Sequence, residues 1–508
     1  MPKYYDFETR DLFRKYTDAE QFEKIREYGT VTEMWQNCIF GYADRVAVID
    51  GDETVTFARL EEDAARMRAL FSDIPKDKKI GILAPNSYGF VKAFIAAVTS
   101  GHAAVALPPH LDAPTVFGCS MITETGAIVY DGSLADRLAV VRERRPDVAL
   151  IKTDDAADEA ADAVSASPDD PCAVVFTGGT TGKSKGAVLS NDAVMQGTVN
   201  GCYGYPDVFG QRYLLILPLT HVFGLIRNLM TSLYTGSTLF ICRNNKDMFR
   251  DVAVFRPTIM VMVPALAEMA LNLSRKFGKN MLGDDLKTII CGAAPVSPFL
   301  IGEYDKIGVK LLAGYGLTES ANLVSGNPES VSKPESVGIP FPHQSIRVND
   351  DGELLLKGRN MMLGYVGGAG EDAYEDGWFR TGDLCRIDED GYLYITGRTK
   401  EIIVLPSGEN VSPAEVEARF NAAPFIQDSQ VFEDENELGG RILALEVVPR
   451  LSELSGVAPE ERGAFIVAEL EKINETLPPF SRVSRITVRE TDFERTPAMK
   501  IVRYKKFS

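Results

Sequence analysis

The stretch TGGTTGKSKGAVLSND, residues 177–192, carries the glycines, hydroxyls and lysines of a phosphate-binding loop. A P-loop places four residues between its first glycine and its glycine-lysine pair, and a helix follows at once with its amides facing the phosphate. Here three residues separate Gly178 from Gly182, and the next segment, GAVLS (186–190), has the pattern of a strand. The sequence therefore predicts that the loop joins two strands and that a helix begins only after the SND at 190–192.

The loop alone supports two interpretations. Glycines let the backbone approach an anion closely, threonines donate hydrogen bonds, and Lys183 and Lys185 supply positive charge. An exposed hairpin tip with solvated lysines has the same composition. The choice between these interpretations depends on the rest of the chain.

The composition narrows the class of protein. A chain of 508 residues is long enough for about three packed units. Its net charge of -18 disfavours nucleic acid and anionic membranes as partners, because the overall field repels both. Seven scattered cysteines and four histidines indicate neither a zinc site nor a disulfide framework, which is typical of a reducing compartment. With a charged start and no apolar run long enough to span a bilayer, we expect a cytoplasmic protein without a transmembrane segment.

The order of apolar runs predicts an α/β fold. Short buried strands alternate with helical patterns, which is typical of a parallel sheet covered by helices. The segments that carry this pattern are KIGILA (79–84), a helix near 88–100, AAVALP (103–108), AIVY (127–130) and CAVVF (172–176). The acidic, alanine-rich segment 153–170 is expected to be a solvated surface stretch.

The last third of the chain changes in character. After about residue 340, short strands and glycine turns predict an antiparallel or barrel-like addition. A further unit begins near Glu401, and we place the boundary at 397–400. Its predicted elements are a strand EIIVLP (401–406), a helix from Ser412 with Pro413 in its first turn, a strand at 441–449 and a helix at 462–476.

Six further motifs follow the loop in order. They are LPLTHVFGL (217–225), CGAAP (291–295), AGYGLTES (313–320), GWFRTGDL (377–384), GRTKEIIVLPSGENVSPAEVE (397–417) and TPAMK (496–500). Together with TGGTTGKSKG, this series resembles the adenylate-forming superfamily: acyl-CoA synthetases, adenylation domains of nonribosomal peptide synthetases and luciferases. Since 55–71 and 103–109 also look like early segments of that family, the resemblance covers nearly the whole chain. One motif would be weak, whereas seven in order are specific.

The resemblance implies a fold and a reaction. It implies a large N-terminal domain (1–399) of αβ-sandwich subdomains with a small barrel-like subdomain, then a small mobile α+β domain (401–508), with Lys400 as the hinge. A carboxylate would attack the α-phosphate of ATP to give acyl-AMP and pyrophosphate, and a thiol would then expel AMP. ATP, Mg²⁺ and CoA are the implied cofactor and co-substrates.

The resemblance also assigns roles to residues. The phosphates of ATP would be held by Thr177, Gly178, Gly179, Thr180, Thr181 and Lys185. The family usually has a hydroxyl residue at the position of Gly178, so a side-chain contact is missing there. The adenine and ribose would be held by Gly292, Ala293, Ala294, Gly314, Tyr315, Gly316, Asp383 and Arg398. Thr318 would contact phosphate, Glu319 would bind Mg²⁺ as an oxygen ligand, and Lys500 would bridge the carboxylate and the α-phosphate.

The acid and the acceptor are indicated less directly. His221 matches a position that lines the acyl pocket and the pantetheine exit, and Gly408 would border the thiol tunnel. Residues 217–230 contain no carboxylate to pair with a substrate ammonium, which counts against amino acids. The one charge in that stretch, Arg227, is expected on a helix surface, with contact to a second substrate carboxylate as the other reading.

The predicted function is an AMP-forming acyl-CoA synthetase acting on a medium- or long-chain fatty acid or a related carboxylic acid. The alternative is a stand-alone ligase that loads a carrier protein in trans. No carrier-type serine motif follows the small domain, so a built-in carrier is not expected. A Walker-type NTPase is opposed by the loop spacing, and an inactive nucleotide-binding protein is opposed by the retained Glu319, Asp383, Arg398 and Lys500.

Overall fold

A computed structural model describes residues 4–5, 9–177, 185–368, 373–405, 409–435, 441–495 and 501–503. Its α-helices in these ranges are Arg10–Phe13 (α1), Ala19–Lys24 (α2), Val31–Tyr42 (α3), Phe57–Ala69 (α4), Tyr88–Thr99 (α5), Ala113–Ile122 (α6), Ala139–Arg144 (α7), Asn191–Asn200 (α8), Thr231–Tyr234 (α9), Met248–Phe255 (α10), Pro264–Phe277 (α11), Pro298–Lys306 (α12), Pro413–Asn421 (α13) and Arg462–Glu475 (α14).

The strands up to residue 340 are Tyr4–Tyr5 (β1), Val46–Asp50 (β2), Glu53–Thr56 (β3), Lys79–Leu83 (β4), Ala104–Leu107 (β5), Thr125–Tyr130 (β6), Ala149–Lys152 (β7), Pro171–Phe176 (β8), Gly186–Ser190 (β9), Arg212–Leu215 (β10), Thr238–Ile241 (β11), Ile259–Met262 (β12), Thr288–Cys291 (β13), Lys310–Tyr315 (β14), Ser325–Gly326 (β15) and Ile339–Pro340 (β16). The later strands are Gln344–Val348 (β17), Glu353–Gly358 (β18), Gly364–Tyr365 (β19), Tyr374–Glu375 (β20), Trp378–Ile387 (β21), Leu393–Arg398 (β22), Ile403–Val404 (β23), Asn410–Val411 (β24), Ile426–Glu435 (β25), Arg441–Pro449 (β26) and Arg485–Val488 (β27).

One large sheet has the order β19-β9-β8-β5-β4-β6-β7 in the described part of the chain. Strands β8, β5, β4, β6 and β7 run parallel, while β9 returns antiparallel to β8. The sheet is buried on both faces: Ala104 and Ala106 of β5 belong to the main core, whereas Val105 and Leu107 belong to a second core on the other side. Apolar runs without alternation are the sequence signature of such a doubly covered sheet.

A second large sheet has the order β16-β15-β14-β13-β12-β10-β11-β2-β3 among the described strands. Its central strands from β14 to β2 are parallel, and antiparallel strands close both ends. Helix α5 is buried along nearly its whole length and packs against strands of both large sheets. A helix layer shared by two sheets therefore forms the main core and confirms the predicted αβ-sandwich arrangement.

The smaller sheets follow after residue 340, apart from β1. Strands β1, β17, β18, β21, β20 and β22 form an antiparallel sheet, as the short strands and glycine turns predict. From Val411 to Val483 the chain has a core of its own, built from α13, α14 and the sheet β25-β26-β27. The predicted fold class, mixed α/β with a smaller α+β unit at the end, is confirmed.

The acidic segment 153–170 is exposed along most of its length, as predicted. Backbone hydrogen bonds hold the segment against helices α4 and α5. The amides of Ala157, Ala161 and Val164 donate to the carbonyls of Arg66, Ala65 and Thr99, respectively. Within the described ranges, none of the helices has the length and apolar character that crossing a bilayer would require.

Candidate active site

The glycine loop leaves and re-enters the same sheet. Strand β8 ends at Phe176, which pairs with Gly186 at the start of β9 in antiparallel register. At the base of the loop the amide of Thr177 donates to the carbonyl of Lys185 at 2.8 Å. The predicted strand-to-strand connection is therefore confirmed, and the helix that follows β9 begins with Ser190 as its cap, accepting from the amide of Ala193. Four predicted phosphate ligands, Gly178, Gly179, Thr180 and Thr181, lie outside the described residues.

Glu319, the predicted metal ligand, lies in a short turn after β14 and is held by a tyrosine from another sheet. The hydroxyl of Tyr365 donates to Glu319 Oε1 at 2.6 Å. Tyr365 reaches this position because β19 pairs with β9, which places it opposite Ala187. The ammonium of Lys185 lies 4.9 Å from the centre of the Tyr365 ring. One tyrosine thus links the base of the glycine loop to the predicted metal ligand.

The sequence reasoning missed Tyr365. Burial, with the Glu319 carboxylate beside it, raises the pKa of Tyr365, so the phenol stays protonated and remains a donor. The surrounding sequence, MMLGYVGG (361–368), predicts only a glycine-rich connection. The contact is tertiary, since residues 319 and 365 meet only when β19 joins the sheet.

We predict that Tyr365→Phe weakens the metal site without disturbing the fold. Loss of one hydrogen bond to a carboxylate should lower acyl-adenylate formation by roughly tenfold and raise the Mg²⁺ concentration needed for half-maximal rate. The measurement is a Mg²⁺ titration of pyrophosphate release. Tyr16→Phe is the matched control, because Tyr16 donates to Glu329 at the same 2.6 Å away from these residues. An unchanged Mg²⁺ requirement in Tyr365→Phe would remove this positioning role.

Asp383, the predicted ribose ligand, is a buried carboxylate held from two sides. Tyr315 donates to its Oδ2 at 2.5 Å, and Arg398 Nε lies 2.8 Å from its Oδ1. The second contact follows from register, because Asp383 on β21 pairs directly with Arg398 on β22. Burial, with Asp383 close by, raises the pKa of Tyr315 well above its ordinary value, which keeps its hydroxyl a donor. Three residues from separate motifs therefore meet at one carboxylate.

The small residues predicted to face adenine lie at neighbouring strand ends. Strand β13 is followed by Gly292, Ala293 and Ala294. Gly314 lies near the end of β14, the strand that pairs with β13. A Cβ at Gly292 would lie 3.3 Å from the Gly314 carbonyl oxygen and 3.6 Å from Phe223 Cζ. At Gly316 a Cβ would fall 1.2 Å from the carbonyl oxygen of Asn322, so no other residue fits there. This close packing lets the chain turn sharply between Tyr315 and Thr318.

The segment expected to line the acyl pocket is a π-helix, Phe223–Met230. Such helices are rare and occur often at functional sites. His221 precedes it, half-buried, and its carbonyl accepts from the amide of Leu225. Arg227 corrects the sequence-based expectation: it is only 2% exposed and does not lie on a helix surface. The helix packs within the main core, so it has no solvent face for Arg227 to occupy.

The predicted hinge lies between two cores. Lys400 is exposed in the short turn Thr399–Glu401, after the main core ends near Leu393 and before Val411, where the separate core of the C-terminal part begins; that part is called the second unit below. The units also touch directly: Arg450 Nε lies 2.8 Å from Glu268 Oε1 on α11. Lys400 therefore lies in the connection between the two cores, and its role as a hinge stays a prediction.

Lys500 and Gly408 lie outside the described residues, but the neighbours of Lys500 are described. Arg495 and Ile501 form a β-bridge, and the amide of Val502 donates to the carbonyl of Glu494. Arg503 makes a two-pronged contact with Glu417 on α13, at 2.7 and 2.8 Å. The chain on both sides of Lys500 is thus fixed to the second unit.

The described residues suit Mg²⁺ that arrives with a nucleotide. They contain no cluster of three or more His, Cys, Asp or Glu side chains that could hold a metal alone. Mg²⁺ is commonly bound through one or two carboxylates together with substrate phosphates. Glu319, beside the base of the glycine loop, fits that arrangement.

Comparison with known proteins gives the family. The model of the AMP-binding enzyme family matches residues 36–366, and that of the AMP-binding enzyme C-terminal domain matches residues 400–507. The chain is 28% identical to the long-chain-fatty-acid–CoA ligase FadD15 of Mycobacterium bovis over 451 residues, which covers 75% of this chain and 71% of the relative.

Solved structures agree on the fold. An anthranilate CoA ligase in complex with anthranoyl-AMP is similar with a TM-score of 0.81 and 19% identity, covering 94% of this chain and 96% of that one. An o-succinylbenzoate CoA synthetase from Bacillus subtilis, in complex with ATP and magnesium ion, is similar with a TM-score of 0.74 and 25% identity, covering 92% and 98%. Since the first family model alone matches more than half of the chain, this protein belongs to the AMP-binding enzyme family.

Proposed function

We propose that this chain activates a carboxylic acid with ATP as acyl-AMP and transfers the acyl group to the thiol of CoA. The class predicted from the sequence, an AMP-forming acyl-CoA synthetase and hence an acid–thiol ligase, is confirmed by the family match and by relatives that are CoA ligases. Loading of a carrier protein is not favoured. The acid is of the fatty or related aryl kind, and the reaction takes place in the cytoplasm.

The observation that carries the proposal is the buried carboxylate of Asp383 between Tyr315 and Arg398. The hydroxyls of a ribose are hydrogen-bond donors, and a carboxylate oriented by a tyrosine and an arginine is a suitable acceptor for them. Tyr315 would offer its ring to adenine beside the neighbouring strand ends that carry Gly292 and Gly314. These features support binding of AMP as a unit.

The first step joins the acid to AMP. A substrate carboxylate oxygen bonds to the α-phosphorus, the bond from that phosphorus to the bridging oxygen breaks, and pyrophosphate leaves with the electron pair. Lys185, Thr177 and the rest of the loop would hold the β- and γ-phosphates, and Lys500 would neutralise charge at the α-phosphate. Glu319 would hold Mg²⁺, which would supply further neutralisation of the phosphate charge. The protein's contribution is to position and stabilise charge.

The second step moves the acyl group to sulfur. The thiol of CoA loses its proton to solvent and bonds to the acyl carbon, and the bond from that carbon to the phosphate oxygen breaks, so AMP leaves. AMP carries away the electron pair of that bond as negative charge on its phosphate. We propose that the second unit turns about Lys400 between the steps, which withdraws Lys500 and brings Gly408 to the thiol.

Lys400→Pro should separate the two steps. Proline fixes φ and removes an amide donor, so it restricts the rotation that the hinge requires. We expect near-normal release of pyrophosphate when acid and ATP are supplied, and a loss of thioester formation of roughly 100-fold. Lys400→Ala is the control and should turn over normally, since a hinge needs no particular side chain. Normal thioester formation in Lys400→Pro would remove the hinge from this account.

A panel of acids tests the function. Fatty, aryl and amino acids are each supplied with ATP and Mg²⁺, first alone and then with CoA or with a phosphopantetheine carrier protein, and pyrophosphate, AMP and thioesters are measured. We expect activation of fatty or aryl acids and transfer to CoA. Activation of amino acids alone, or transfer to the carrier alone, would contradict the proposal.

A further inference from the structure

Arg227 is a buried cation that forms no ion pair with any carboxylate in the described part of the chain. Its side chain is among the largest in the described chain that are almost fully enclosed, and its Nη1 atom has no hydrogen-bond partner among the described residues. The hydroxyl of Tyr205 lies 3.4 Å from Nη2, and its ring centre is 5.6 Å from the guanidinium carbon. Burial raises the pKa of both Tyr205 and neighbouring Tyr213, so these phenols stay neutral. They do not balance the charge of Arg227.

A second unpaired polar group faces the same space. Arg227 and Asn200 both line a cavity of about 30 Å³ between α8, the π-helix and the ends of β13 and β14. Asn200 is 1% exposed, and neither its amide nitrogen nor its amide oxygen has a hydrogen-bond partner in the described part of the protein. The volume exceeds the roughly 10–15 Å³ that one water requires. The cavity is therefore roomy enough for a small polar group.

A buried charge without a partner destabilises the folded protein, because its lost hydration is not compensated. Elsewhere in this chain a buried arginine has a direct carboxylate partner: Arg450, also 2% exposed, lies 2.8 Å from Glu268 Oε1. Removal of one partner from such a pair is strongly destabilising, because the other charge stays buried without compensation. Arg227 resembles the residue left behind by such a removal, because its buried guanidinium has no carboxylate partner among the described residues. A carboxylate brought by a ligand would complete it, and a guanidinium suits that group because it can donate two parallel hydrogen bonds.

The cavity adjoins the candidate active site. Gly314, which belongs to the adenine-facing segment, is one of its lining residues, together with Ala313 on the same strand. Phe223 stands one helical turn before Arg227, and its ring lies within 4 Å of where a Cβ on Gly292 would be. Residues one turn apart share a helix face. The face that begins at the candidate acyl pocket with Phe223 therefore ends at the cavity with Arg227.

We propose that Arg227 and Asn200 bind a second carboxylate at the far end of the substrate, so that the enzyme activates one end of a dicarboxylic acid. The inference rests on the proposed function, since it names the class of acid for the same site. The reacting carboxylate lies at the nucleotide, and the distal carboxylate accepts from Arg227 Nη1 and from the amide of Asn200. A methyl-terminated acid leaves both groups unpaired.

Matched pairs of acids test this inference. Butanoic and butanedioic, hexanoic and hexanedioic, octanoic and octanedioic, and phenylacetic and 4-carboxyphenylacetic acids are compared by pyrophosphate release with CoA present. In at least one pair the diacid should have a kcat/KM roughly tenfold or more above that of the monoacid. In Arg227→Met the ratio of diacid to monoacid should fall roughly 100-fold. In Asn200→Leu, which retains the guanidinium, it should fall roughly tenfold.

The readout separates a binding role from a structural one. A ratio taken within one preparation does not depend on how much of the variant is folded. Arg450→Met is the control: it should lower the melting temperature and leave the ratio unchanged, because Glu268 loses its partner away from the site. Arg227→Met should not lower the melting temperature, and the preferred diacid should raise that temperature in the wild type only.

The outcomes distinguish this inference from the proposed function. If monoacids are activated as well as or better than every matched diacid, the dicarboxylate inference is wrong and the synthetase function stands. If Arg227→Met leaves the ratio unchanged, Arg227 is not the recognising group and the inference fails. If no acid of either kind releases pyrophosphate, both the function and the inference fall.

Discussion

Lys500→Ala is expected to lower acyl-adenylate formation by roughly 10²–10³-fold, because it removes the cation assigned to the charge that develops at the α-phosphate. Conversion of supplied acyl-AMP and CoA to thioester should remain within about twofold of the wild type, since that step does not use Lys500. The measurement pairs acid-dependent pyrophosphate release with single-turnover thioester formation from synthetic acyl-AMP.

The structure gives the basis for a role limited to one step. Arg495 and Ile501, on either side of Lys500, form a β-bridge with each other, and the contacts of Arg495 with Asp428 and of Arg503 with Glu417 tie these flanks to the second unit. These flanking residues therefore move with that unit, and we propose that Lys500 does so too. A rotation at Lys400 would carry it away from the nucleotide after the first step.

Lys506→Ala is the matched control for Lys500→Ala. It removes an equal charge from the same basic tail, and we expect both steps to continue at wild-type rates. If Lys500→Ala slowed both steps equally, the lysine would be acting on binding or folding in general, and its assignment to adenylation would be wrong.

Asp383→Asn is expected to reduce kcat/KM for ATP by roughly 100-fold and to slow both steps, because AMP is bound in each of them. Asparagine keeps the size of the side chain but removes its negative charge. That charge pairs with Arg398 and makes the hydrogen bonds from the ribose stronger. The fold should survive: the Arg398 side chain is 43% exposed, so water can solvate its charge. The two rates are measured against ATP and against acyl-AMP.

Asp388→Asn is the matched control for this change. Asp388 also accepts from a tyrosine, Tyr394, at 3.1 Å and also pairs with a cation, Lys333, at 2.7 Å, and it directly follows β21, the strand that carries Asp383. It has no assigned contact with the nucleotide, so kcat/KM for ATP should change little. If both variants lost activity equally, the effect would belong to the sheet and not to ribose binding.

Local signals predicted the frame of the fold correctly. Three features were predicted from a few neighbouring residues: the strand that starts at Gly186, the helix cap at Ser190 and the helix that begins at Pro413. Each of them depends mainly on residues that are close in the sequence. The mixed strand β25 was not predicted. Its sequence, IQDSQVFEDE, contains too many polar residues to show the pattern of a strand. The strand is stabilised by its pairing with β26, which lies later in the chain.

The site was predicted in its members but not in its connections. The resemblance to the adenylate-forming superfamily assigned Tyr315, Asp383 and Arg398 to the nucleotide; the structure brings the three together, and their roles stay predictions. The link from Tyr365 to Glu319 joins distant parts of the chain that only the sheet brings into contact. Arg227 was expected at a surface because a lone charge in an apolar helix usually points to solvent, and the sequence does not show that both sides of this helix are covered.

The central claim is that catalysis passes through acyl-AMP in two separable steps. The most direct test is a single-turnover experiment with ATP labelled at the α-phosphate, enzyme in excess and an accepted acid, followed by a chase with CoA. The account predicts that labelled acyl-AMP accumulates on the enzyme before the chase, and that CoA converts it to labelled AMP and unlabelled acyl-CoA. Release of labelled ADP, or acyl-CoA formed without prior acyl-AMP, would contradict it.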